Sequence, residues 1–147
     1  MDRYFEDFSV GERFETASAT ISREEAIAFA TSYDPQPFHL DEEAARTSMF
    51  GKLVVSGWQT AALAMRLIVQ SRVLEATGIV GTGVDEVRWF APVAPGDTLR
   101  VRGEIVALTP LPGGKRRGTM RVLTQALNQN DAIVYSAIPT LVLPMRP

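Results

Sequence analysis

The 147-residue chain predicts an α+β fold, an antiparallel β-sheet wrapped around one long central helix. Two observations predict it. After Gly57 comes a segment with apolar residues on nearly every side: Trp58, Ala61, Ala62, Leu63, Ala64, Met65, Leu67, Ile68 and Val69. A helix so apolar is expected to be buried with other structure around it. Beyond Gly83 the chain becomes a series of strand-like segments separated by Gly- and Pro-rich turns.

In chain order, Phe14 to Ile21 is rich in β-branched and small residues and predicts a first strand. Ser22 with Glu25 three residues on predicts a capping box, opening a helix that carries Ala26, Ile27, Phe29 and Ala30 and ends before Pro35. Asp41 predicts the cap of a short helix, with Glu42 and Glu43 placed favourably for its dipole. Ser56 and Gln59 predict a second capping box at the start of the central helix, and Gly78, after Thr77, predicts its C-terminal stop. Strands are then expected over Gly83 to Phe90, from Leu99, from about Gly118 to Asn128, and from Ala132 to Leu143. From Leu99 the alternation puts Leu99, Val101 and Ile105 on one face and Arg100, Arg102 and Glu104 on the other. Thr109 to Gly114 should break that strand. Pro139 cannot donate to a ladder, which places it on an edge or at a bulge.

Composition excludes several functions. Hydrophobic residues make up 46% and charged residues 22%, the balance of a globular chain, and one domain over residues 1–147 is expected. A net charge of -2 predicts no general affinity for nucleic acid or anionic membrane. There is no cysteine for a disulfide or a thiolate nucleophile, and a single histidine argues against a zinc site. The central apolar run is interrupted by Arg66 and ends in Gln70, Ser71 and Arg72, so it is not a membrane span. The N-terminus has no apolar stretch of the signal-peptide kind, and a cytoplasmic location is expected.

The chemistry concentrates in two places. Tyr33-Asp34-Pro35-Gln36-Pro37-Phe38-His39 holds the sole histidine, with an aspartate five residues before it. Two prolines stiffen the connection, which holds Asp34 and His39 at a nearly constant separation. A carboxylate and an imidazole so held can activate water; the same residues also suit an Asp-Pro turn leading into a helix. At Gly57 the first N–H of the central helix has no intrahelical partner and sits at the positive end of the dipole. It either offers a donor to a developing oxyanion or allows a tight entry turn.

Asp34-x-x-Pro37-x-His39, followed by Phe50-Gly51-Lys52-Leu53-Val54-Val55-Ser56-Gly57, resembles the MaoC-like dehydratases, or (R)-specific enoyl-CoA hydratases. Phe90-Ala91-Pro92-Val93-Ala94-Pro95-Gly96-Asp97 resembles a segment common in hotdog-fold proteins that handle thioesters. The resemblance spans about Phe14 to Leu143 and implies the hotdog fold, dimerised edge to edge with active sites at the interface. It implies reversible hydration of a trans-2-enoyl-CoA to a (R)-3-hydroxyacyl-CoA. Asp34 and His39 would activate water, and the Gly57 N–H would bind the thioester oxygen. Gln36, Pro37, Phe38, Ser56 and Trp58 would contact the substrate. Gln36 stands where the family more often has Asn, and residues Ala61 to Ile68 lack the serine that several relatives carry there. No cofactor is implied; coenzyme A arrives with the substrate.

Two rival functions are a hotdog acyl-CoA thioesterase, disfavoured by the intact Asp34–His39 spacing, and a non-catalytic acyl-binding or partner subunit, which would have lost one of that pair. A homodimer is expected, alone or within a dimer of dimers or a trimer of dimers, because the alternating strand at Leu99 and the proline-bearing last strand suggest a sheet edge needing cover. Lys115, Arg116 and Arg117 either meet the coenzyme A phosphates or form a solvated turn. Trp58 either walls an acyl channel or packs in the core.

Overall fold

A computed structural model of the chain describes residues 3–75 and 78–147. Two short strands, β1 (Arg13–Glu15) and β2 (Ala19–Thr20), precede helix α1 (Arg23–Tyr33). Two short helices follow, α2 (Pro37–Leu40) and α3 (Glu42–Arg46), and then the central helix α4 (Gly57–Ser71). Four long strands complete the chain: β3 (Val80–Trp89), β4 (Thr98–Pro110), β5 (Arg117–Leu127) and β6 (Ile133–Pro144). All pairings are antiparallel, in the order β1-β4-β5-β6-β3, with β2 also on β4. The sheet packs on α4 in the hotdog arrangement.

The expected first strand is two strands. Arg13–Glu15 pairs with Glu104–Arg102, and Ala19–Thr20 with Leu99–Thr98. Between them the Thr16 hydroxyl accepts the Val101 N–H while the Thr16 N–H reaches the Val101 carbonyl. A side chain has taken a place in the ladder, so the strand is interrupted there. β4 follows the expected alternation, burying Leu99, Val101 and Ile105, and it continues through Thr109 and Pro110 where a break was expected.

Helix α4 buries one stripe, Thr60, Leu63, Ala64 and Leu67, against Val101, Ala126, Val134 and Ala137 of the sheet. Burial all round is therefore not what this chain provides. Trp58, Met65 and Val69 are each more than 60% exposed. The helix also stops earlier than Gly78. The Ser71 hydroxyl donates to the Ile68 carbonyl, and Arg72 takes the left-handed conformation at φ 58°. Gly78, at φ 80°, lies in the following turn, and Thr77 is outside the described residues.

Pro139 is not on an edge, because β6 lies between β5 and β3. The β5–β6 pairing lapses between Arg121↔Thr140 and Thr124↔Ala137, where Pro139 has no N–H to give. The β3 register shifts just beyond its Val84↔Pro139 pair, between Asp85 and Arg88. The long free edge is β3, whose Val80, Val84 and Trp89 are exposed; the opposite edge, β1, has three residues. No helix among the described residues is long and apolar enough to cross a membrane.

Candidate active site

Asp34 caps the C-terminus of α1, its N–H donating to the Ala30 carbonyl. Residues 34–39 were expected as a stiff loop, but from Pro37 they are helical. Pro37 opens α2, where a fixed φ and a missing N–H cost nothing. The His39 N–H closes on the Gln36 carbonyl at 2.9 Å. A helical turn opened by Pro37, with Pro35 ahead of it, sets the separation of Asp34 and His39. His39 Nε2 stands 3.2 Å from Asp34 Oδ2.

Both groups are held from outside their own segment. His39 is 6% exposed, and its Nδ1 lies 2.7 Å from the Val54 carbonyl. A carbonyl only accepts, so Nδ1 carries a proton and Nε2 is the atom free to gain or lose one. Phe38 lies edge-on to the imidazole at 4.6 Å and packs on Phe50 at 5.3 Å, closing the apolar side of the ring. Asp34 Oδ2 accepts the Ser56 hydroxyl at 2.7 Å, and Oδ1 accepts the Gln36 amide at 2.7 Å. Gln36, with one methylene more than Asn, thus reaches the carboxylate directly.

Burial pushes the Asp34 carboxyl up, but the Gln36 and Ser56 donors and the nearby His39 outweigh it and hold the group below the usual carboxylate range. With the imidazole protonated, Nε2–H donates to Oδ2. With it neutral, two acceptors face one another, and a water that donates to both satisfies them. The Asp34 side chain is 17% exposed, so solvent reaches the carboxylate.

The bond to Asp34 overturns the second capping box. Ser56 occupies the N-cap of α4 without a capping hydrogen bond, because its hydroxyl has gone to the carboxylate. Ser56 is fully buried, and its hydroxyl acts on Asp34. Gln59 turns towards α1, its amide 3.4 Å from the Glu25 carbonyl. Gly57 follows Ser56, and no acceptor among the described residues meets its N–H.

Trp58 is not a core residue: it is exposed and stands edge-on to Trp89 at 5.1 Å. Lys115 to Arg117 lie at the turn joining β4 and β5. Ala126 lies level with Tyr135 and with Trp89, whose indole meets Gly57; from Ala126 to Gly118 the strand covers roughly 25 Å, so the run sits at the far end of the sheet from the start of α4. Reading the sequence missed the Val54 carbonyl, which as a backbone group leaves no residue-type signal. It also missed Trp89, whose only cue was a second tryptophan just ahead of the Phe90–Asp97 segment.

Known proteins resemble this chain in sequence and in fold. The family described as MaoC like domain matches residues 7–128. The chain is 32% identical to 3-hydroxyacyl-thioester dehydratase Z of Mycobacterium tuberculosis, covering 69% of this chain and 68% of that one. A crystal structure of the MaoC-like dehydratase from Rhodospirillum rubrum superposes with a TM-score of 0.92 at 43% identity, over 99% of both chains. The (R)-hydratase from A. caviae superposes with a TM-score of 0.74 at 28% identity, over 93% of this chain and 98% of that one.

A carboxyl with a folded pKa below its unfolded value stabilises the fold above the unfolded value. That contribution disappears as the pH falls through the folded one. A carbon-13 titration should therefore place the Asp34 midpoint below that of an ordinary aspartate. Ser56→Ala and Gln36→Leu should each raise it, since each removes a donor to the ionised form. An ordinary midpoint, unmoved by either change, would show that these bonds do not act on the carboxylate.

Proposed function

As the chain belongs to the MaoC-like dehydratase family, we propose that it catalyses the reversible hydration of a trans-2-enoyl-CoA to a (R)-3-hydroxyacyl-CoA. The observation that carries this is the pair of proton-accepting atoms, Asp34 Oδ2 and His39 Nε2, 3.2 Å apart on a solvent-reached face beside a free helix-terminal N–H. The family names of its relatives, a 3-hydroxyacyl-thioester dehydratase and an (R)-hydratase, support the same reaction and hand.

Water held between Oδ2 and Nε2 attacks the β-carbon of the enoyl group. One of the pair takes its proton as the new C–O bond forms, and the alkene electrons move onto the thioester oxygen. That oxygen, now an enolate, accepts from the Gly57 N–H at the positive end of α4. The enolate collapses as the pair returns a proton to the α-carbon, so water is added and the site regains its starting charge. Dehydration runs the steps in reverse. Ser56 and Gln36 keep Asp34 ionised and aimed, and the Val54 carbonyl keeps the Nδ1 proton in place so that exchange occurs at Nε2. Gln36, Pro37, Phe38 and Trp58 flank the path of the acyl group, Trp58 as a wall. Coenzyme A enters as part of the substrate, and the reaction calls on no cofactor.

Asp34→Asn keeps the size of the side chain but cannot take a proton, and His39→Gln removes the imidazole. Each should lower kcat for crotonyl-CoA hydration by about 10²–10⁴ with the fold retained, the range for a general acid-base group. Because the two act as one unit, the double variant should be little worse than either single one. Near-full activity in both folded variants would remove the pair from the mechanism.

The reading includes a homodimer formed along β3. That strand offers a ten-residue free edge, and Trp58, Met65 and Val69 of α4 are exposed as well. A long apolar edge is a place for another strand to pair. Light scattering at micromolar concentration should give at least twice the 16.1 kDa chain mass, and a particle of 16.1 kDa alone would contradict the dimer.

A further inference from the structure

Trp89 closes β3, on the free edge of the sheet, yet its indole is engaged with the first residue of the central helix. The indole Nε1–H donates to the Gly57 carbonyl at 2.8 Å. A Cβ at position 57 would come within 2.8 Å of that nitrogen and 2.9 Å of Cε2. A side chain at position 57 could enter only if the indole moved, a constraint that reading the sequence did not supply. The ring is held in turn by Trp58 at 5.1 Å and Tyr135 at 6.1 Å.

The Gly57 N–H shares a peptide plane with the Ser56 carbonyl, which accepts from the Gln59 and Thr60 N–H groups at 3.0 and 3.2 Å, and two further ties flank that plane. On its N-terminal side, Ser56 is tied through its hydroxyl to Asp34. On its C-terminal side, the Gly57 carbonyl is tied to Trp89. Glycine has the widest φ range of any residue, and the first turn of a helix is where fraying begins. Without the second tie the first turn of α4 would fray more readily, and the peptide plane that carries the N–H would move with it. A donor aimed in advance stabilises developing charge better than one that must be ordered during the reaction.

We propose that Trp89 is a positioning residue for the thioester-oxygen donor, holding the first turn of α4, and with it the Gly57 N–H, through its hydrogen bond to the Gly57 carbonyl. This rests on the assignment of the Gly57 N–H to the thioester oxygen. Its effect belongs in kcat, because the enolate charge is greater in the transition state than in the bound thioester.

The test is Trp89→Phe, which keeps an aromatic ring and removes the N–H. Two readouts are needed, on a variant whose oligomeric mass matches the parent. For crotonyl-CoA hydration, kcat should fall about tenfold, the size of one ordinary hydrogen bond, with KM and the pH profile unchanged. The second readout is independent of activity. Ser56-Gly57 is the only Ser-Gly pair in the sequence, so carbonyl-labelled serine with nitrogen-15 glycine gives a single amide signal, that of Gly57. In Trp89→Phe that signal should shift and broaden. An unmoved Gly57 signal overturns the proposal, as does an unchanged kcat in an active enzyme, and Trp89 is then only packing at the sheet edge. If the parent protein hydrates no enoyl thioester, the hydratase reading fails separately. The amide signal alone then decides whether Trp89 orders Gly57.

Discussion

The hydrogen bond from Ser56 to Asp34 joins the parts of this molecule that must act together. It spans 22 residues and links the C-terminus of α1 to the N-terminus of α4. One hydroxyl thereby sets the position of the carboxylate and of the residue preceding the free Gly57 N–H. The helix forgoes its side-chain cap as a result, a loss typically of about 1 kcal/mol. The hydroxyl instead makes a bond to an ionised acceptor, the stronger class of hydrogen bond. The Val54 carbonyl, two residues before Ser56, holds His39. One segment, 54–57, thus orients the imidazole, the carboxylate and the Gly57 N–H.

That segment is anchored to the connection between β3 and β4 and to the end of β3. The Val55 N–H donates to the Val93 carbonyl at 2.7 Å, and Trp89 grips the Gly57 carbonyl from the end of β3. Below them α4 buries Leu63, Ala64 and Leu67. The site therefore rests on a packed core on one side and on a free strand edge on the other. Any protein that pairs along β3 would lie beside the tryptophan that touches Gly57.

The periodic and local features could be read from the sequence. Ser22 accepts from the Glu25 N–H, and Asp41 from the Glu43 and Ala44 N–H groups, as their types and spacing suggest. The burial of Leu99, Val101 and Ile105 follows from alternation. Misreadings arose where a distant partner outbid a local one. Ser56 looks like a helix cap until Asp34 claims its hydroxyl, and Phe14 to Ile21 looks continuous until Thr16 enters the ladder. Arg72, rather than a glycine, takes the left-handed position that ends α4. The edge was misplaced for a related reason. Strand order is a long-range property, and Pro139 is accommodated inside the sheet by a lapse in pairing. At the site, Asp34, His39 and Gly57 stood out through residue type and spacing. The Val54 carbonyl and Trp89 did not, since their contributions are contacts made across the fold.

The measurement that bears most directly on this account is incubation of the purified protein with crotonyl-CoA, following enoyl absorbance and free thiol together and determining the hand of the product. Hydration by the Asp34–His39 pair predicts loss of the enoyl absorbance, no release of thiol, and (R)-3-hydroxybutyryl-CoA as the product. Release of thiol would instead mark a thioesterase, and no change in either signal with crotonyl-CoA or longer enoyl thioesters would contradict the enzyme reading.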